Sequence, residues 1–188
     1  MKLKRCLWQK AQSSMNLEKL VFIDESGAKT NMTRLYGRAK AGQRVVDNVP
    51  SGHWCTTTMI SSVRLDGSTA CMVVDGATDK DVFQAYVQHI LLPTLKPGDI
   101  VILDNLSAHK NQKVRDLIES IGAEVWFLPP YSPDLNPIEK MWSKIKAILR
   151  TFKARTEEAL INAIAKALEA VTASDAKGWF ESCGYTFT

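Results

Sequence analysis

Two runs of apolar residues in the chain each end in an aspartate. Leu20–Ile23 and Ile100–Leu103 are four consecutive apolar residues each, and they are followed by Asp24 and Asp104. Unbroken aliphatic and aromatic runs of this length are typical of strands buried on both faces. We therefore expect two central strands of one sheet, each carrying a carboxylate at its end.

A hairpin is predicted between these two strands. The segments Thr56–Val63 and Thr69–Val74 flank the turn sequence Leu65-Asp66-Gly67-Ser68, and an Asp-Gly pair is a strong signal of a tight turn. Two antiparallel strands should therefore follow the first strand along the chain.

Helical spacing of apolar residues predicts four helices after the hairpin. The first spans Val82–Leu91, and the second closes at Gly122 and leads into a strand over Glu124–Leu128. The third follows the proline-rich turn Pro129–Pro137, and the fourth begins at Thr156. Right-handed crossovers then give an α/β fold: a mixed five-stranded sheet in the order 3-2-1-4-5, its first three strands antiparallel, with helices on both faces.

Length and composition suit one globular domain. The chain has 188 residues, of which 45% are hydrophobic and 23% charged, and its formal charge of +4 permits a polyanionic partner. We assign residues 17–188 to this domain and residues 1–16 to an N-terminal tether. The four cysteines form no CxxC pair, and no window is apolar enough for a signal peptide or a membrane span. The expected location is the cytoplasm, without membrane contact.

The predicted topology brings three acidic residues to one end of the sheet. Adjacent parallel strands deliver Asp24 and Asp104, and the third helix starts at the same end with Glu139 in its first turn. Carboxylates this close repel each other unless a cation lies between them. Three oxygen ligands suit Mg²⁺ or Mn²⁺, and two such ions support in-line phosphodiester chemistry.

Each of these residues has a simpler interpretation or a competitor. Asn136 and Glu139 have the spacing of a capping box, which needs no metal. Glu25 and Asp75 compete with Asp24, but strand alternation turns Glu25 to the opposite face and Asp75 lies on the outer strand. The convergence of three acidic residues favours the metal site.

Further polar residues are candidates for supporting roles. His109 is either a cap or surface residue, or a group that approaches the phosphate or positions Asp104, and Asn105 has a turn role as its simpler interpretation. Basic residues on the third helix either form a solvated face or contact phosphates, and those between the first two strands are candidates for contact with DNA or with a partner subunit. These candidate DNA-binding residues are Arg34, Arg38, Lys40, Arg44, Lys140, Lys144, Lys146 and Arg150, with Lys153 and Arg155 just beyond.

Three motifs resemble the mariner-like superfamily of DDE transposases, particularly its bacterial insertion-sequence branch. They are Val-Phe-Ile-Asp-Glu-Ser around Asp24, Leu-Asp-Asn at 103–105 followed by His109, and Pro-Pro-Tyr-Ser-Pro-Asp-Leu-Asn-Pro-Ile-Glu at 129–139. The resemblance covers residues 18 to 155. It implies an RNase H-like fold in which Asp24, Asp104 and Glu139 bind two Mg²⁺ or Mn²⁺ ions.

The resemblance also implies DNA cleavage and strand transfer at the terminal inverted repeats of an insertion sequence, insertion at TA, a homodimer, and a location in the bacterial cytosol and nucleoid. Members of this superfamily carry an N-terminal helix-turn-helix region, and fewer than twenty residues precede the first strand here. A truncated chain or a separately encoded helix-turn-helix half would account for this. Two alternatives stay open: a catalytically idle fragment that dimerises with and regulates intact transposase, and an RNase H-like nuclease or resolvase.

Overall fold

One mixed sheet forms the centre of the computed structural model, which describes residues 2–186. Its five strands lie in the order β3-β2-β1-β4-β5, as the sequence predicts. The strands are β1 (Leu20–Lys29), β2 (Thr56–Val63), β3 (Thr69–Asp75), β4 (Ile100–Leu103) and β5 (Glu124–Phe127). The helices are α1 (Lys2–Gln12), α2 (Lys80–Tyr86), α3 (Gln112–Glu119), α4 (Pro137–Phe152), α5 (Glu157–Glu169) and α6 (Ala173–Ser182), and α2 continues as a π-helical segment, Val87–Leu91.

The pairing of the strands confirms the predicted directions. β2 is antiparallel to both β1 and β3, whereas β1, β4 and β5 are mutually parallel. The parallel register pairs Leu20 with Ile100 and Phe22 with Ile102. The carboxyl ends of β1 and β4 therefore lie at the same edge of the sheet.

Alternation along the strands supplies two hydrophobic cores, one on each face of the sheet. Leu20 and Phe22 pack with the helices α4, α5 and α6, and Val21 and Ile23 pack with α2, its π-helical extension and α3. Helices cover both faces of the sheet, as predicted.

β1 extends farther than its apolar run. The strand continues through Ser26, Gly27 and Ala28 to Lys29, since β2 pairs with it as far as Lys29 opposite Thr56. Asp24 is therefore an interior residue of β1, not its last, although it lies beyond the part of β1 that pairs with β4.

The β2–β3 turn depends on a glycine. Gly67 has φ of 83°, a left-handed conformation that glycine adopts without steric cost. A Cβ atom at this position would lie 2.7 Å from the carbonyl carbon of Thr172, the residue that caps α6. The turn therefore packs directly against the start of α6.

The N-terminal segment differs from a tether over the part that the structure describes. Residues Lys2–Gln12 form helix α1, and the Gln12 side chain is buried and donates a hydrogen bond to the carbonyl of Cys183 at 3.0 Å. Trp8 donates from Nε1 to the hydroxyl of Tyr185 at 3.1 Å. These contacts fix α1 to the C-terminal end of the domain.

No helix within residues 2–186 combines the length and the apolar character required to cross a bilayer.

Candidate active site

Three carboxylates line one small cavity at the edge of the sheet. Asp24, Asp104 and Glu139 surround a volume of about 100 Å³ together with Asn105, Asn136 and the loop from Leu128 to Pro133. The structure therefore brings together the three acidic residues that the sequence places at this edge.

The fold positions each carboxylate through a different element. Asp24 has the same strand parity as Phe22, so it lies on the face that α4 covers. Asp104 is the first residue after β4, and Glu139 is in the first turn of α4. A buried side of α4 that includes Ile138 packs on the sheet and fixes the start of this helix beside the strands.

The surroundings of Asp24 disfavour the ionised form of its carboxyl group. Burial raises the pKa of Asp24 to about 7 against the opposing effect of a backbone hydrogen bond from Glu25, and the nearby charges of Glu139 and Asp104 add to the increase. Unfavourable negative charge of this kind is what a bound cation relieves.

His109 connects Asp104 with Glu25. Its Nδ1 lies 2.6 Å from Asp104 Oδ1, and its Nε2 lies 3.5 Å from Glu25 Oε1. The second contact is an ion pair and not a hydrogen bond, since neither Nε2 nor Oε1 has a hydrogen-bond partner among the described residues. His109 is only 2% exposed and stacks on Phe83 at 4.4 Å between ring centroids. It is therefore not a surface histidine but a buried residue that orients Asp104.

The pKa values within this contact shift toward a charged pair. Burial alone would lower the pKa of His109, but Asp104 and Glu25 outweigh burial and raise it to about 9. Burial works to raise the pKa of Asp104, but the hydrogen bonds from His109 and from the Leu106 N–H hold it below its ordinary value. At neutral pH an imidazolium therefore faces an ionised Asp104.

The three carboxylates do not form a preassembled metal cluster. Within residues 2–186, no three histidine, cysteine or acidic side chains stand close enough together to hold an ion. The physical reason is that like charges separate when no cation lies between them, while His109 and the Leu106 N–H hold one oxygen of Asp104. The carboxylates share a cavity, and the donor set of oxygens fits Mg²⁺ or Mn²⁺.

Asn136 and Glu139 do not form a capping box in the described part of the chain. Asn136 begins α4 without a side-chain capping hydrogen bond, and its Oδ1 is buried with no partner among the described residues. The side chain of Glu139 is exposed and makes no hydrogen bond to the Asn136 N–H in the described part of the chain. Asn105 has the structural role that the sequence suggests, since its amide donates to the carbonyl of Leu128.

The loop between β5 and α4 is held by residues that the sequence analysis does not identify. Arg5 of α1 donates to Ser132 Oγ at 2.7 Å and to both carboxylate oxygens of Asp134 at 2.9 and 2.6 Å. The hydroxyl of Tyr185 donates to the carbonyl of Leu135 at 2.9 Å. No motif marks Arg5 or Tyr185, because their role depends on two chain ends that meet only in the folded protein.

The basic residues fall into two groups. Arg34, Arg38, Lys40 and Arg44 are exposed in the insertion between β1 and β2, and Lys140 is exposed on α4, while Lys146 and Arg150 are half-buried. Lys144, in contrast, binds Asp175 at 2.5 Å and the Ala170 carbonyl at 2.7 Å. Lys153 binds Asp47, and Arg155 donates to the carbonyls of Thr30 and Met32. These last three side chains are therefore engaged in contacts within the protein.

Sequence comparison identifies one family and one curated relative. A family model described as DDE superfamily endonuclease matches residues 19–161. The Transposable element Tc1 transposase of Caenorhabditis elegans is 26% identical over 102 residues, which are 54% of this chain and 37% of that protein. The chain therefore spans little more than a third of the length of this relative.

Comparison of structures gives the same fold. A Mos1 strand transfer complex matches with a TM-score of 0.73 and 17% identity, over 97% of this chain and 57% of the Mos1 chain. A Mos1 mariner paired end complex with Mn matches with a TM-score of 0.72 and 20% identity, over 97% and 58% of the two chains. The Mos1 transposase catalytic domain with Raltegravir and Mg matches with a TM-score of 0.65 and 16% identity, over 97% of this chain and 87% of that chain. The RNase H-like fold expected from the sequence motifs is thereby confirmed.

Proposed function

Because the chain belongs to the DDE superfamily endonucleases, we propose that it is the catalytic domain of a cut-and-paste transposase that cleaves DNA strands and joins them to a target. The observation that carries this proposal is the convergence of Asp24, Asp104 and Glu139 on one cavity. These residues come from β1, the end of β4 and the start of α4, and each stands in a motif that the sequence analysis identifies.

We propose that the three carboxylates hold two Mg²⁺ or Mn²⁺ ions. The Mos1 complexes that resemble this chain include structures with Mn and with Mg, which supports divalent metal use. Bound there, such ions would activate a water or a 3′-hydroxyl and stabilise the leaving oxygen of an in-line displacement. Asp24 must lose its proton to bind a metal ion. Because its pKa is raised to about 7, metal binding should be favoured at pH values above about 7.

Three residues support the carboxylates in this proposal. His109 holds Oδ1 of Asp104 at 2.6 Å, and Asp104 lines the cavity. Asn105 anchors the turn after β4 to the carbonyl of Leu128, which fixes Asp104 relative to the loop that follows β5. Asn136 also lines the cavity, and its side-chain amide oxygen is buried with no hydrogen-bond partner among the described residues, so a water or ion at the site would satisfy it.

The proposed substrate is DNA: the terminal inverted repeats of an insertion sequence and a TA target. Mos1 has been captured in strand transfer and paired end complexes, which supports DNA as the partner. Within residues 2–186, Lys140 on α4 and the four exposed basic residues of the β1–β2 insertion make no ion pair of the kind that Lys144 and Lys153 make. We place the activity in the bacterial cytosol and nucleoid, with end recognition supplied by a helix-turn-helix region.

We further propose that the protein acts as a homodimer joined through the β1–β2 insertion, residues 31–55. Six of the twelve large hydrophobic side chains that are exposed in the described chain lie in this insertion. They are Leu35, Tyr36, Val45, Val46, Val49 and Trp54. A concentration of exposed apolar groups in one segment is typical of a protein interface.

The test is nicking of supercoiled plasmid with Mn²⁺ or Mg²⁺. Asp104→Asn should reduce the rate at least about 100-fold, since a metal site contributes several kcal/mol to the transition state. Asp75→Asn is the matched control, because Asp75 also ends a strand, is exposed, and does not line the cavity. Circular dichroism should show that both variants fold.

Three outcomes distinguish the alternatives. Metal-dependent DNA nicking that only Asp104→Asn abolishes supports the transposase domain. A wild-type protein that is folded but inert toward DNA with either metal supports the regulatory fragment. Cleavage restricted to the RNA strand of hybrids moves the assignment to a ribonuclease H.

A further inference from the structure

Tyr131 is an aromatic side chain exposed at the rim of the carboxylate cavity. It is 86% exposed, and it lines the same cavity as Asp24, Asp104 and Glu139. Large aromatic side chains in soluble proteins are usually covered by packing, because burial of the ring is favourable. Packing within the domain therefore does not explain why an aromatic side chain stands at this position.

The backbone at Tyr131 is also unusual. Its φ is 54°, and within the described residues only Lys153 is another non-glycine residue with positive φ. Lys153 ends α4, where a left-handed residue closes the helix. Glycine or asparagine would adopt this conformation at lower cost than tyrosine. Strain that is retained without a gain in packing is characteristic of a residue that contacts a ligand.

The loop that carries Tyr131 is fixed on both sides. Arg5 binds Ser132 and Asp134 on the carboxyl-terminal side, and Tyr185 binds Leu135. On the amino-terminal side the Leu128 N–H donates to the Leu103 carbonyl at 2.9 Å, and two prolines follow. The exposed ring is thus presented from a backbone with little freedom, which lowers the entropic cost of a contact.

We propose that Tyr131 stacks on a nucleobase adjacent to the phosphodiester that the carboxylates act on, and that this base is unpaired and turned out of the duplex. The inference rests on the proposed function. A phosphodiester at the cavity places a neighbouring nucleoside at its rim, where the ring lies. Within a duplex the faces of a base are already stacked, so an aromatic side chain reaches one only when the base leaves the helix.

Three substitutions at Tyr131 distinguish stacking by the ring from hydrogen bonding by its hydroxyl. Tyr131→Phe keeps the aromatic face and removes the hydroxyl, whereas Tyr131→Leu removes the face and keeps an apolar side chain. Tyr131→Asn removes the face and suits the left-handed backbone. The thermal midpoint of Tyr131→Asn should equal or exceed that of the wild type, so a loss of activity in this variant has a cause other than folding.

The first experiment measures DNA cleavage with Mn²⁺ in these variants. The substrate is a 20-base-pair duplex with an unpaired three-nucleotide 3′ overhang. Tyr131→Leu and Tyr131→Asn should lose about 5- to 100-fold in kcat/KM, the range expected for one base–aromatic stack, and Tyr131→Phe should stay within about 3-fold of the wild type. Phe152→Leu is the matched control, since Phe152 is half-exposed at the far end of α4 and does not line the cavity.

The second experiment observes the base directly. The first overhang nucleotide is replaced either by 2-aminopurine, whose fluorescence responds to stacking, or by an abasic site. Wild type and Tyr131→Phe should change the 2-aminopurine fluorescence on binding in Ca²⁺, and Tyr131→Leu should not. With the abasic substrate the cleavage difference between wild type and Tyr131→Leu should disappear.

The results separate this inference from the proposed function. If the wild type cleaves DNA and Tyr131→Leu matches it on every substrate, base stacking is wrong and the endonuclease assignment stands. A loss in Tyr131→Phe as large as in Tyr131→Leu also overturns stacking, in favour of a hydroxyl contact. If the fluorescence responds but the wild type does not cleave, the stacking contact stands and the catalytic proposal is wrong.

Discussion

At the scale of single residues, His109 joins two carboxylates that neighbouring strands bring together. It lies 2.6 Å from Asp104 and 3.5 Å from Glu25, and it is buried against Phe83. Removal of a group that orients a metal ligand lowers metal affinity by about 10- to 100-fold in known sites. His109 is therefore expected to control how much metal the protein needs.

His109→Gln should raise the Mn²⁺ concentration for half-maximal plasmid nicking about 10- to 100-fold, while saturating Mn²⁺ restores much of the rate. A Mn²⁺ titration of the nicking rate measures this shift. His89→Gln, an exposed histidine on the π-helical segment, serves as the control. An unchanged titration curve in His109→Gln would show that Asp104 does not depend on this contact.

The carboxylates were predictable from sequence, whereas the role of His109 beside Asp104 was one of several interpretations that the sequence left open. Asp24 and Asp104 follow apolar runs and Glu139 follows a proline-rich turn, so each has a local signal. The contact between His109 and Asp104 depends on a 3-10 turn, Ser107–Lys110, that returns the ring toward the sheet, and a periodicity of apolar residues does not report such a turn. Glu25 was assigned correctly to the opposite face, but its partner there is visible only in three dimensions.

At the scale of elements, helices α1 and α6 escape prediction for different reasons. α1 leaves Leu3 and Leu7 exposed, and its buried residue is the polar Gln12. Its apolar contact with the core comes from the half-buried ring of Trp8, so the helix lacks a continuous apolar face. α6 is short and contains Gly178. Its one clear signal is the capping box between Thr172 and Asp175, with bonds of 2.6 to 3.1 Å.

Tyr185 ties these elements to the active-site loop. Its hydroxyl accepts from Trp8 of α1 and donates to Leu135, and the ring is fully buried. Tyr185→Phe leaves both partners unsatisfied and should lower the free energy of unfolding by about 1–3 kcal/mol in urea denaturation. Tyr36→Phe is the control, because Tyr36 is 89% exposed and should change stability by less than about 0.5 kcal/mol. Equal stabilities would mean that water replaces these bonds without cost.

A buried ion pair joins the β2–β3 turn to the start of β4. Arg64 lies 2.5 Å from Asp99, whose side chain is 1% exposed and also accepts from the Lys96 N–H. Burial alone would raise the pKa of Asp99, but these hydrogen bonds outweigh burial and hold it below its ordinary value. A carboxyl with a depressed pKa stabilises the folded state above its unfolded pKa, about 3.9, and this contribution is lost as the pH falls through the folded value.

Asp99→Asn should therefore be less stable than the wild type at pH 7, and the difference should shrink as the pH falls below about 4, where first the unfolded chain and then the folded protein takes up a proton at Asp99. Urea denaturation of both proteins between pH 2.5 and 7 measures this difference. Asp116→Asn, at an exposed position on α3, controls for the substitution itself. A constant difference across this range would contradict a charge effect.

At the scale of the whole molecule, the β1–β2 insertion is separable from the sheet. Its two ends are neighbours, since Lys29 pairs with Thr56 and the Thr30 N–H donates to the Cys55 carbonyl at 3.2 Å. The strands therefore do not depend on the residues between them for their register. The insertion carries exposed hydrophobic and basic side chains, which makes it a surface for partners more than a part of the core.

Replacement of residues 34–52 by a three-residue glycine and serine linker should leave the unfolding free energy within about 1 kcal/mol of the wild type, because the Lys153–Asp47 pair that it removes is exposed. Sedimentation velocity should show that the wild type self-associates and the shortened protein is monomeric. A shortened protein that still dimerises would place the subunit contact elsewhere.

The Gly67 turn determines where mutations can impair activity from a distance. A codon change at this position forces a Cβ atom against Thr172, and the displaced α6 leads through Tyr185 to Leu135 in the loop beside the carboxylates. The turn lies at the end of the sheet away from that loop, near Lys19 and Asp99. Substitutions of Gly67 should therefore include temperature-sensitive mutations, which lose activity on warming although they lie far from the acidic residues.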